Sequence, residues 1–157
     1  MSLIFISIGT CKSVGDPHVS TYDFVQNDVY GVGKYVLTQS TDKIQDVPDF
    51  KVVVETYTDG GWSSTLAIEF TFTDSGIEYL YKADKNMAAS LTVDGVETEL
   101  ISQKTDVFEF EKKAKQLFFK ARIGVDIHQN HGSATVKVRF TIFIDTVFTV
   151  LTRMTIE

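Results

Sequence analysis

From residue 50 onward the chain alternates apolar and polar residues again and again, with β-branched and aromatic residues at the apolar positions. Neighbouring side chains on an extended backbone point to opposite faces, so a period of two makes strands that bury one face and wet the other. Leu66-Ala67-Ile68-Glu69-Phe70-Thr71-Phe72-Thr73 is the clearest case and sets Leu66, Ile68, Phe70 and Phe72 on one face. Phe50 to Tyr57 reads the same way. So does Ala134 to Asp145, where Val136, Val138, Phe140, Ile142 and Ile144 oppose Lys137, Arg139, Thr141 and Phe143. Val107 to Glu111, Gln116 to Arg122 and Val125 to Ile127 are predicted as three further strands, and a last turn leads into Val147 to Leu151. Asp74-Ser75-Gly76 and Asp94-Gly95 lie between such runs and predict hairpins, because two-residue loops that match strand twist need positive φ. Ala83 to Ala89 is helix-like but too short to stand as a helix. The expectation is an all-β antiparallel sandwich or flattened barrel of about ten or more short strands. Residues 1–157 read as one domain, with 1–10 either a leading strand or an added leader.

Composition fits that architecture. The chain has 157 residues, 43% of them hydrophobic and twelve of them Phe, enough to fill a core without obligatory staples. Its net charge of -6 gives no overall basic field, which argues against nucleic acid as a partner. Cys11 is the only cysteine, so no disulfide closes within the chain. The run Met1 to Ile8 has no basic residue before it and is not a convincing signal peptide. No stretch has the ~20 apolar residues of a membrane-spanning helix.

The front of the chain is more specific. Cys11 is followed by Gly15-Asp16-Pro17-His18, then Thr21-Tyr22-Asp23-Phe24, then Gly31-Val32-Gly33-Lys34-Tyr35-Val36-Leu37. In order and spacing these blocks resemble the von Willebrand factor type D domain. Leu91 to Val96 and Phe119 to Val138 are similar to later blocks of that family. The resemblance implies an extracellular, secreted module for assembly or adhesion, with protein partners or self-association and no catalysis beyond autoproteolysis at Asp16-Pro17. The chain also departs from the family. Gly33 stands where a cysteine mate is expected, and Phe24 replaces a glycine. Thr146 to Glu157 lacks the segment that supplies Asn and Asp ligands to calcium, so calcium, which the resemblance suggests, has no usual ligand set here.

The chemistry of Asp16-Pro17 makes the implied cleavage concrete. The leaving nitrogen is a secondary amine, and the Asp16 carboxylate can reach its own carbonyl carbon to form a cyclic anhydride, an intramolecular attack favoured by proximity. His18, charged in mild acid, can donate the proton that the departing nitrogen needs, and Gly15 permits the backbone geometry. The same residues also make a simple type I turn before the strand at Val19, which is the commoner use of Asp and Pro.

Other candidates carry less. Asp126, His128 and His131 lie in a polar hairpin and include metal-ligand types, yet alternate side chains diverge there, so a solvated turn is the favoured reading. Trp62 after Gly60-Gly61 reads as a sandwich-edge or contact residue. Glu109, Glu111, Lys112, Lys113, Lys115 and Lys120 read as a solvated mixed-charge hairpin. No Ser-His-Asp pattern or phosphate-cradling glycine loop emerges. Two other roles stay open: a type D domain of a lipid-carrying, vitellogenin-like protein, and a small-ligand or luciferase-like β-domain, which would need a deep apolar pocket.

Overall fold

The turn residues set the framework. In the computed structural model, which describes residues 4–14, 18–22, 25–28, 31–40, 49–59 and 62–143, Ser75 and Gly76 take φ of 53° and 79°, and Asp94 and Gly95 take 48° and 81°. Both pairs have the positive φ of the expected hairpin turns. The first joins Trp62–Asp74 (β6) to Ile77–Ala83 (β7), and the second joins Ala89–Val93 (β8) to Val96–Glu99 (β9). Gly33–Gln39 (β4) and Phe50–Asp59 (β5) complete a six-stranded antiparallel sheet in the order β4-β5-β6-β7-β8-β9.

The second sheet has eight strands. Its strands are Ile4–Val14 (β1), His18–Ser20 (β2), Gln26–Asp28 (β3), Gln103–Lys104 (β10), Phe108–Lys113 (β11), Gln116–Ala121 (β12), Val125–Asn130 (β13) and Ser133–Phe143 (β14). They run antiparallel in the order β10-β11-β12-β13-β14-β1-β2-β3. The architecture is therefore an all-β sandwich of fourteen described strands in two separate sheets, not a closed barrel. Strand length varies more than expected, from two residues in β10 to thirteen in β6. The leading segment is a strand from Ile4 onward, paired with β14 along its whole length.

Aromatic rings fill the space between the sheets. Phe119 of β12 stacks on Tyr81 of β7 at 4.4 Å and on Phe108 at 5.3 Å, and meets Phe70 and Phe72 of β6 edge-on at 6.0 and 6.1 Å. Phe70, Tyr81 and Phe119 have no exposed surface. Burying rings of this size supplies the main drive to close the sandwich.

Two bulges correct the simple alternation. In β6 the partner of Glu55 is Ala67 and that of Thr56 is Thr65, so Leu66 is an extra residue. The face predicted through Leu66 therefore holds for Ile68, Phe70 and Phe72, while Thr65 turns inward, 2% exposed. In β4 the extra residue is Leu37, and Val36, Leu37 and Thr38 are all buried. The helix-like stretch is a turn: the Asp84 carboxylate accepts backbone N–H bonds from Asn86 and Ala88 at 2.8 and 2.9 Å. The stretch after Ile127 is also strand, since β13 runs to Asn130. Val147 to Leu151 and the Gly60-Gly61 turn lie outside the described residues, as does the side chain of Trp62.

Candidate functional site

β1 delivers the motif to one end of the eight-stranded sheet. Val14 at its end pairs with His18 at the start of β2, and Gly15, Asp16 and Pro17, which link them in sequence, lie outside the described residues. The type I turn read for those residues lies there too. β2 returns through Thr21, whose N–H and hydroxyl both donate to the Val25 carbonyl, at 3.0 and 3.1 Å. That closure sets the register in which His18 stands opposite Asp28 of β3.

Across that rung, His18 Nδ1 lies 2.6 Å from Asp28 Oδ1. A carboxylate offers only acceptors, so Nδ1–H is the donor and Nε2 is the ring atom left for other chemistry. Both side chains are well exposed, at 63% and 50%, so the pair adds at most about 1 kcal/mol to stability. Its value is orientation, since a carboxylate on one ring nitrogen fixes which nitrogen can hand over a proton. Asp28 was not singled out from sequence. Its signal is the two-strand register, because residues 18 and 28 become neighbours only once the hairpin between them is placed.

Behind the motif the two sheets are tied by polar groups. The Ser13 and Thr65 hydroxyls lie 2.7 Å apart with both residues buried, and Thr65 also bridges to Gly132. The Cys11 thiol donates to the Leu37 carbonyl at 3.6 Å. Leu37 is the extra residue of its bulge, which frees that carbonyl from the ladder. Burial pushes the Cys11 thiol up to about 12, so it stays protonated and is no nucleophile. With Gly33 at the position where the resemblance places a mate, Cys11 is a free, buried thiol, and what it meets on β4 is Leu37.

The candidate metal ligands are separated. Asp126 and His128 share the outer face of β13, whereas His131 sits in the turn beyond. Asp126 is engaged by Arg139 at 2.5 Å. His128 stacks flat on Phe118, with ring centroids 4.5 Å apart. Burial, aided by the nearby Lys137 ammonium, holds His128 below its ordinary value and favours the neutral ring. Among the described residues no three His, Cys, Asp or Glu side chains gather as a metal site. No described helix is long and apolar enough to cross a membrane. No family model matches the chain, and no curated protein matches it.

Proposed function

We propose that this chain is a structural and interaction module of the von Willebrand factor type D kind, acting outside the cell within a larger secreted protein and able to break its own Asp16-Pro17 bond in mild acid. The motif blocks from Cys11 to Leu37 support the family, and the His18–Asp28 pair supports the chemistry. In the proposed step the Asp16 carboxylate oxygen bonds to its own main-chain carbonyl carbon, and the bond from that carbon to the Pro17 nitrogen breaks. The proton on Nε2 of charged His18 passes to the departing nitrogen, leaving a five-membered anhydride at Asp16 and a free secondary amine at Pro17. Water then opens the anhydride to an ordinary C-terminal aspartate, unless an amine on a partner protein intercepts it and becomes joined through an amide. A small-ligand role for the interior is disfavoured, because Phe70, Phe72, Tyr81, Phe110 and Phe119 already fill the space between the sheets.

Mass spectrometry of the purified chain at about pH 5.5, where an ordinary His is largely charged, tests the reaction. The expected products are residues 1–16 and 17–157, slower to appear in Asp28→Asn and absent in Asp16→Ala. An intact chain after days of incubation removes the self-cleavage, while partner capture by the uncut module then tests the structural role separately.

A further inference from the structure

The outer face of the eight-stranded sheet carries a charge pattern that the motif corner does not use. Register places Phe118, His128, Thr135 and Lys12 side by side across β12, β13, β14 and β1, and the next rung holds Lys120, Asp126 and Lys137. These residues surround a shallow depression of about 330 Å³. Neighbouring strands of one face stand about 5 Å apart, so Lys137 lies between Lys120 and Lys12, which reach the depression from its two sides on long flexible stems.

Each carboxylate on this part of the sheet already has a cation of its own. Asp126 pairs with Arg139 at 2.5 Å, Glu111 with Lys113 at 2.8 Å, and Glu109 with Lys104 at 3.6 Å. Among the described residues, Lys12, Lys120 and Lys137 enter no ion pair. A chain with net charge -6 thus concentrates unneutralised ammonium groups at one place. The depression on the other sheet is lined by more carboxylates than cations, with Glu69, Glu97 and Glu99 beside Lys82.

His128 adds a second and independent mark. Its Nε2 is shielded from solvent and has no hydrogen-bond partner. A buried polar atom left unpaired is costly, and such groups mark places where a ligand completes the hydrogen bonding. The lysine stems lining the depression are long and flexible, so a small shift of one opens Nε2 to a bound oxygen.

We infer that this depression binds a tetrahedral oxyanion presented as a monoester, a sulfate or phosphate group held by Lys12, Lys120 and Lys137 with His128 Nε2 as a further hydrogen-bond partner. A sulfate or phosphate monoester offers three terminal oxygens spread over a tetrahedral face, one for each ammonium group, where a planar carboxylate offers two. The flat Phe118–His128 stack beside it gives the carbon part of the ester a surface to rest on.

NMR titration of the intact chain with sodium sulfate, glucose 6-sulfate and glucose 6-phosphate, at ionic strength held constant with chloride, tests the site. The expected result is saturable shifts centred on Lys12, Lys120, His128 and Lys137 with at least one ester, the tighter ester naming the source. The double variant Lys12→Gln/Lys137→Gln should weaken binding at least about tenfold, equivalent to about 1.4 kcal/mol, without lowering the melting temperature. His128→Phe, which keeps the stacked ring but removes Nε2, should weaken it a few-fold. No saturable shift with either ester, or equal affinity in the double variant, would overturn the inference. Binding of free sulfate without either ester would overturn its ester part.

Discussion

Two buried regions of this sandwich are held in opposite ways. Around Phe119 the sheets meet through rings from β6, β7, β11 and β12, in contacts that depend on shape and area. Around Ser13 they meet through a hydroxyl pair, a thiol on a freed carbonyl and a single β-bridge. The ring cluster supplies non-directional stability, and the polar corner supplies direction. The corner fixes where β1 ends, and so where Val14 hands the chain to the Asp16-Pro17 motif and His18. The difference suggests that a domain can place its strength and its precision of placement in separate parts of one core.

Mutation can break that contrast most strongly at the rings. Phe119→Ala removes a side chain that four other rings touch and should cost about 3–5 kcal/mol in urea unfolding; a loss under about 1 kcal/mol would mean that the centre is not where the stability resides. At the corner, Ser13→Ala or Thr65→Val leaves the partner hydroxyl buried and unpaired, for an expected loss of about 1–3 kcal/mol each. The double variant should lose less than the two single losses added together, because both polar groups are gone. Strict additivity would show that the hydroxyl pair does not hold the corner.

The smallest effect separates the interior from the outer face. His128 is held below its ordinary value of 6.5, so the unfolded chain takes up its proton at a higher pH than the folded one. That contribution to stability is full above about pH 6.5 and is lost as the pH falls through the lower folded value. The Lys137 ammonium on the adjoining strand pushes in the same direction as burial, and Lys12, Lys120 and Asp126 are the other charged groups around the same depression. The melting temperature of His128→Phe should fall less between about pH 7.5 and about pH 5.5 than that of the parent chain. An identical fall would assign the acid sensitivity to other groups.

Local chemistry made part of this structure readable beforehand. Asp94-Gly95 and Ser75-Gly76 carry their turn geometry in their own residues, and the alternation of Ile68, Phe70 and Phe72 reports a face directly. What escaped depends on partners far away in sequence. Leu66 reads as a face residue until the pairing of β5 with β6 makes it the extra residue of a bulge. The polar run His128-Gln129-Asn130 reads as loop, yet Gln129 is 1% exposed and reaches the Asp84 carbonyl at 3.4 Å. At the motif, His18 was legible and Asp28 was not, since only the register of β2 against β3 brings them together. The neighbour of the Cys11 thiol escaped for a similar reason, because the bulge at Leu37 decides what the thiol meets.

The pairing of β1 with β14 has a mechanical consequence. Ile4 lies beside Phe143 at one end of that ladder, and Val14 lies beside Ser133 at the other. A chain cut after Asp16 would keep its short fragment docked, because eleven rungs join β1 to β14 while three join it to β2. The cut would therefore be silent at rest and visible only under denaturing conditions. Tension applied at Ile4 and Phe143 would load one rung at a time from that end, opening the ladder like a zipper instead of shearing it, so the nicked domain would become a joint that parts at low force.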